Sequence, residues 1–282
     1  MNRYGLFLPW PLDTQSEEGV FLPGSNVVYD FHGDPCRADL IITMEGNQFM
    51  AIPEVIQAFH KYVGEPVSIF YVTLPPPRFR PLIEGKSLSI GNLVLSTRPH
   101  VVMGPPEFMA KIKEFITPPQ TFMENKGVVL VFKRGNPKGI SSPQDLMRPE
   151  IKIAISNPQT EQNSYQVYLK ALSHVPGLKE KIEKEALKSQ VIHHREVPAF
   201  IYHGWADVAP LYFHFAYYYQ NPQFFPEPLF DYLSFPEGEA CRSLYQAALT
   251  KEGTLNRWAK AWIEFLKTDT VKKIYARHGF KK

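Results

Sequence analysis

Two stretches of the chain pair a short apolar run with a loop of small and polar residues that opens a helix-period pattern. In the first, Leu40-Ile41-Ile42 leads into Thr43 to Gln48, and Phe49, Ile52, Ile56 and Phe59 follow at helical spacing. In the second, Ile151 to Ser156 leads into Asn157 to Tyr165, with Tyr165, Tyr168, Leu169 and Leu172 on one helix face. A helix N-terminus carries unpaired N–H donors and a partial positive charge, so both loops suit an anionic group. Gly46 lets the backbone approach a ligand closely, and Asn47, Ser156, Asn157 and Ser164 offer neutral polar contacts. Asn163 and Ser164 have a second reading as helix N-caps, because Asn and Ser cap helices in general. Tyr165 and Tyr212 could close a cleft through their hydroxyls or pack in the core.

Other chemistries are less well served. His193 and His194 are adjacent, so on a strand they face opposite sides and cannot chelate one ion together. His203 and His214, with Glu45 or Asp207, are the residues from which an N/O metal site could be built, against the commoner role of scattered histidines in packing. No nucleophile elbow, phosphate-binding Gly-rich loop or metalloprotease spacing occurs; Gly135-Asn136-Pro137-Lys138-Gly139 lacks the length and the Lys-Ser/Thr of a P-loop. Asp13, Glu17 and Glu18 read as a solvated extension. The chain is therefore expected to bind rather than catalyse, with no cofactor and no resident metal.

Composition agrees. Apolar residues make up 44% and charged residues 21% of 282, as in ordinary soluble proteins, and a formal charge of +3 gives no reason to expect nucleic acid. The alternation of Lys179, Lys181, Lys184 and Lys188 with Glu180, Glu183 and Glu185 reads as a solvated helix face. Nothing approaches a membrane-spanning apolar run, and Pro9 and Pro11 interrupt Leu6-Phe7-Leu8, so a secretory signal is absent from this stretch. Cys36 and Cys241 are too few for a cluster; they are either a disulfide or two buried free thiols.

Short apolar runs at 40–42, 67–71, 100–103, 128–132, 151–156, 191–192 and 208–211 alternate with helical patterns, which predicts an α/β fold with mainly parallel sheets. Leu74 to Pro77 reads as a proline-rich corner. Trp258, Trp262, Phe265 and Leu266, then Val271, Ile274 and Tyr275, form the last helices, stopped at Gly279.

Four ordered segments resemble the type II periplasmic binding proteins, and within them the molybdate-binding branch. They are Asp39-Leu40-Ile41-Ile42-Thr43-Met44-Glu45-Gly46-Asn47; Val129-Leu130-Val131-Phe132-Lys133-Arg134-Gly135-Asn136-Pro137 with Asp145-Leu146; Ile153-Ala154-Ile155-Ser156-Asn157-Pro158 with Asn163-Ser164-Tyr165; and Ala259-Lys260-Ala261-Trp262-Ile263-Glu264-Phe265-Leu266 with His278-Gly279-Phe280. Gly204-Trp205-Ala206-Asp207-Val208 matches the family's step from helix to strand. The resemblance implies two lobes with a ligand cleft between them: residues 39–127 plus 236–282, with 1–38 as an extension packed on that lobe, and 128–235. It implies an extracytoplasmic, monomeric receptor that closes by a hinge on a small oxyanion and delivers it to an ABC permease. A metal-ion or organic-acid receptor, or a sensing subunit with a separate signalling partner, is the alternative. Thr73 and Arg78 stand where the branch places ligand donors, Arg80 less directly, and Met103-Gly104 supplies backbone near the cleft. Glu45 departs from the neutral loop of the branch, so either its carboxylate points elsewhere or the ligand is not a simple oxyanion.

Overall fold

The computed structural model describes residues 30–90, 93–189, 194–222, 225–236 and 239–281. The expected extension up to residue 29, the strand at Val191-Ile192, and His193 lie outside these residues. The described chain divides into two compact units, one of residues 30–124, 244–277 and 281, the other of 125–243 and 278–280.

The first unit opens with β1 (Phe31–His32), β2 (Leu40–Met44), α1 (Ile52–Val63) and β3 (Ile69–Val72). It continues through α2 (Pro76–Ile83), the hairpin of β4 (Leu88–Ile90) and β5 (Leu93–Leu95), β6 (Val101–Gly104), α3 (Pro106–Lys111) and β7 (Gln120–Glu124). Pro53 is the second residue of α1, where its missing N–H costs nothing, and Gly64 ends the helix in the left-handed region at φ 77°. The expected corner at Leu74–Pro77 is instead a helix start. Pro75 takes the N-cap position of α2, and Pro76 and Pro77 lie in the first turn, where N–H groups have no acceptor within the helix.

The second unit carries β8 (Val128–Lys133), β9 (Ala154–Ile155), α4 (Gln162–Ala171), α5 (Leu178–Glu185), β10 (Leu187–Lys188), α6 (Val197–Tyr202), β11 (Val208–Tyr212), α7 (Phe213–Gln220) and β12 (Phe230–Ser234). The chain then returns to the first unit as β13 (Leu244–Leu249), α8 (Arg257–Leu266) and α9 (Asp269–Arg277). The alternating charges of α5 and β10 do more than face solvent. Lys181 Nζ donates to the carbonyls of Leu146 (2.8 Å) and Arg148 (2.6 Å), and Lys188 Nζ to those of Ile182, Glu183 and Ala186.

Both sheets are mixed. The first has the order β1-β3-β2-β6-β13-β7, with β3, β2 and β6 parallel and β1 and β13 antiparallel to their neighbours. In the second, β10 and β9 are parallel, Ile153 bridges in parallel to Val208 at the start of β11, and β8 runs antiparallel between β11 and β12. The expected parallel order thus forms the centre of the first sheet and one side of the second, and antiparallel pairs arise largely where the chain passes between units. It leaves the first along β7 and returns along the adjacent β13. It enters the second along β8 and leaves along the adjacent β12. The β7–β13 pair is thus an antiparallel pair whose connection is the whole of 125–243, while β8 and β12 are connected through the second unit's own elements.

The two passing segments are fastened together within the second unit. Asn125 N–H donates to Ser243 O (3.0 Å), while Asn125 Oδ1 accepts from Ser243 N–H (2.9 Å) and Gly127 N–H (3.0 Å). Val128 N–H donates to Ala240 O at 2.5 Å. Gly127 has φ +91°, and a Cβ on it would lie 2.2 Å from that carbonyl oxygen, so only glycine fits.

The core of the first unit centres on the fully buried Trp262 of α8, edge-on to Phe59 of α1 (5.0 Å) and beside Phe265 (6.0 Å). Asn256 caps α8 by accepting from the N–H groups of Trp258 (2.8 Å) and Ala259 (3.0 Å). Its Nδ2 donates to Asp39 O (2.8 Å) and approaches His100 Nδ1 (3.3 Å), which also accepts from Ile41 N–H (3.0 Å). Cys36 is exposed and Cys241 half-buried, and both are free thiols, so neither the disulfide nor a pair of buried thiols is formed. Burial pushes the Cys241 thiol up, with Lys170 opposing.

Candidate functional site

In the first unit, the carboxyl ends of β3, β2 and β6 lie side by side and carry Thr73, the Glu45–Gln48 loop and Gly104. In open α/β sheets this is the edge at which ligands bind. Glu45 N–H donates to Met103 O (3.1 Å), and Gly46–Gln48 then forms a single buried 3-10 turn that delivers the chain to α1. Gln48 Oε1 accepts from the Tyr275 hydroxyl of α9 at 2.5 Å. Burial, and after it the Glu45 carboxylate, push that phenol well above its ordinary range. Glu45 itself is buried.

The neighbouring positions are more constrained than their residue types suggest. Thr73 is fully buried; its N–H donates to Asp30 O (2.9 Å) and its hydroxyl to Asp30 Oδ1 (3.2 Å), so its proton is directed at a buried carboxylate. Gly104 ends β6 opposite Gln246, and a Cβ there would press on the Phe108 ring at 3.1 Å, a packing reason for glycine beside any ligand role. Arg78 is exposed in the first turn of α2 and makes no ion pair among the described residues, while Arg80 pairs with Glu84 at 2.5 Å.

In the second unit, β10, β9 and β11 run in parallel, and their carboxyl ends carry Ser189, Ser156-Asn157 and Tyr212. Asn157 fastens two of these ends together: its N–H donates to Ser189 Oγ (2.9 Å), its Nδ2 to Ser189 O (3.0 Å), and its Oδ1 accepts from Gln159 N–H (2.9 Å). Ser156 is fully buried, and its hydroxyl has no hydrogen-bond partner among the described residues. The N-cap position of α4 belongs to Glu161, not to Asn163 or Ser164, which lie inside the first turn. Ser164 is buried there. Tyr165 is also buried, its phenol pushed up by that burial and then by Glu183 of α5, a core position more than an open one. Tyr212 ends β11 at the N-cap of α7, stacked on His214 (5.5 Å, 13°) and tilted against Tyr168 (5.1 Å).

The fold therefore brings Gly46, Asn47, Thr73 and Gly104 to one edge of the first unit and leaves Arg78 on the surface of α2. It brings Ser156, Asn157 and Tyr212 to one edge of the second, with Ser164 and Tyr165 in the adjoining turn. Sequence reasoning missed the buried group Glu161, His194, Arg195 and Glu196. Glu161 Oε2 accepts the backbone N–H of His194 and lies 2.7 Å from its Nδ1. A legible sign was there: His194-Arg195-Glu196 directly precedes the apolar helix start Val197-Pro198-Ala199-Phe200-Ile201, so these charges have little freedom to reach solvent.

Among the described residues no group of three His, Cys, Asp or Glu side chains is arranged to hold a metal ion. His203 stacks on Trp205 (5.5 Å, 29°), His214 on Phe280 (4.2 Å, 17°), and Asp207 accepts from Lys152 N–H (2.9 Å) opposite Lys138. No helix among the described residues is long and apolar enough to cross a membrane.

No curated protein sequence matches the chain. Solved structures do. The substrate-binding domain of a putative molybdenum ABC transporter from Clostridium difficile superposes with a TM-score of 0.61 at 18% identity, over 86% of this chain and 98% of that one. The periplasmic molybdate-binding protein of Azotobacter vinelandii gives 0.64 at 16% identity, over 86% and 99%. Iron-bound HitA of Pseudomonas aeruginosa gives 0.62 at 12% identity, over 83% and 82%. At such identities the likeness is one of fold, and the fold is that of the type II periplasmic binding proteins, as the four sequence segments imply. Residues 41–281 match the model of the bacterial extracellular solute-binding proteins, and the chain belongs to that family.

Proposed function

We propose that the chain is the solute receptor of an ABC-type importer: a monomer outside the cytoplasmic membrane that closes by a hinge on a small ligand, without turning it over, and is then read by a permease. One observation carries this reading. In each unit, neighbouring parallel strands end in loops that open a helix, and the segments Asn125–Val128 and Ala240–Ser243, by which the chain enters and leaves the main part of the second unit, are fastened together as a hinge requires. The ligand is read as an oxyanion of the molybdate or tungstate type, held by neutral donors: the Gly46-Asn47 turn, the Ser156 hydroxyl and the first turn of α4 with Ser164. A second reading, a cationic or metal-ion ligand, is favoured by one feature, the buried carboxylates of Asp30 and Glu45 at the first unit's edge.

A thermal-shift screen separates the two. The panel is molybdate, tungstate, sulfate, phosphate, small carboxylates, amino acids and divalent metals. An oxyanion present at a hundred times its Kd should add about 2.7 kcal/mol of stability, and Asn47→Ala or Ser156→Ala should weaken it. A response confined to zinc or copper replaces the oxyanion by the cation, and turnover of any compound refutes the receptor.

A further inference from the structure

Glu161, His194, Arg195 and Glu196 are all more than nine-tenths buried in the second unit. Glu161 holds His194 from two directions, accepting its backbone N–H and facing Nδ1 at 2.7 Å, so Nδ1 carries a hydrogen toward the carboxylate. The imidazole is boxed by rings: Phe215 at 5.0 Å, Tyr168 at 5.7 Å and Tyr212 at 6.2 Å. Its Nε2 is buried without a hydrogen-bond partner among the described residues. Ser156 Oγ is in the same condition at the carboxyl end of β9, and the two are linked by a short path, since Glu161 N–H donates to Asn157 O at 2.9 Å. Buried polar atoms are ordinarily satisfied, so two unsatisfied ones, one at the end of β9 and one on the short turn that Glu161 ties back to Asn157, point to a group that arrives from outside.

We propose that His194, held by Glu161, is a ligand-contacting side chain of the second unit, and that with Ser156 it receives an oxyanion through Nε2–H. The proposal rests on the receptor reading above and narrows its ligand. With Nδ1–H committed to Glu161, the neutral ring offers only a lone pair at Nε2, which repels an oxyanion. The imidazolium offers Nε2–H, and Glu161 balances its charge. Binding an oxyanion there requires the protonated ring, so to the extent the free ring is neutral a proton passes from solvent to Nε2 as the ligand binds. The other titratable and charged groups around the ring are the phenols of Tyr168 and Tyr212, His214 beside Tyr212 on α7, and Arg195 and Glu196, of opposite charge, on its own turn. Linkage fixes the sign: the bound state holds more protons, so affinity is greatest at low pH and declines as pH rises.

The test is isothermal titration of the whole chain with molybdate and with sulfate, in buffers of different ionisation enthalpy, across the window of about pH 6–8 where histidine titrates. The expected result is uptake of up to about one proton per ligand at the upper end, and affinity falling by up to about tenfold per pH unit. His194→Gln should weaken binding about tenfold or more at the low end and flatten the pH profile. Because His214 lies close by, beside Tyr212, loss of the profile in His194→Gln is what assigns it to His194. Should that variant fail to fold, the proton uptake of the unmodified chain still decides. Oxyanion binding without proton uptake overturns the proposal and leaves the receptor standing. Binding of zinc or copper alone, with proton release, overturns the ligand class. No binding by any panel compound overturns the proposal and the receptor together.

Discussion

Gly127 sits where the chain first passes into the second unit, and replacing it by alanine tests how tightly the two passing segments are fastened. A side chain at φ +91° costs about 1–2 kcal/mol in backbone conformation alone. The new Cβ would also lie 2.2 Å from Ala240 O and 2.7 Å from Ala240 Cβ, and relief requires lengthening the 2.5 Å bond from Val128 N–H to that same oxygen. Losing that bond adds about 1 kcal/mol, and the residual crowding about as much again. Gly204→Ala is the matched control: its φ is +75°, yet nothing lies within 4 Å of an added Cβ, so it should show the conformational cost alone. In urea unfolding, Gly127→Ala should therefore lose about 2 kcal/mol more than Gly204→Ala, with a further Tm drop of roughly 4–8 °C. Adding Ala240→Gly removes the 2.7 Å contact but not the 2.2 Å one, and should restore less than half of the difference. Equal losses in Gly127→Ala and Gly204→Ala would refute the reasoning, because they would show the Ala240 strand giving way freely.

Two further predictions concern the first unit. Burial lowers His100 below the usual histidine range, with Glu252 opposing, and a base with a depressed folded pKa stabilises above its unfolded value near 6.5 and loses that stability as pH falls through the folded one. Stability should drop on acidification below about pH 6.5, as protonation of Nδ1 displaces Ile41 N–H and Asn256 Nδ2; a His100→Asn variant with a flat profile over that range supports this, and an unchanged slope contradicts it. Asn256→Ala removes the cap of α8 and the tie to Asp39, and should cost about 1–2 kcal/mol in chemical denaturation; a loss under about 0.5 kcal/mol would show the cap to be redundant.

The elements that carry strong periodicity are legible in the sequence alone. Leu40-Ile41-Ile42 and the α8 stripe of Trp262, Phe265 and Leu266 form what their spacing predicts, while the run Ile151–Ser156 forms a strand only at Ala154–Ile155, with a bridge at Ile153. The misreadings share a cause, which is that a local pattern can suit two structures. Pro75-Pro76-Pro77 fits a corner as well as a helix start, and the burial of Phe79, Leu82 and Ile83 on one side of α2 decides for the helix. Strand β13 (Leu-Tyr-Gln-Ala-Ala-Leu), to which the sequence assigned no element, suits a helix equally well and is drawn into the sheet by β6 and β7, more than a hundred residues earlier for both. The candidate loops could be placed from sequence because each follows a strand. The partners that decide their chemistry could not. Asp30 on Thr73, Tyr275 on Gln48, Ser189 on Asn157 and His194 on Glu161 are all pairs distant in sequence, and no local pattern announces them.

The return of residues 244–277 to the first unit, and of 278–280 to the second, has a consequence for the order of assembly. Phe280 stacks on His214, and Trp262 fills the space beside Phe59, so neither unit has its full interior until almost the whole chain has been synthesised. A nascent chain leaving the ribosome cannot complete one lobe while the other is still being made. This interleaving delays completion of native structure in both units until the last residues of the chain join them.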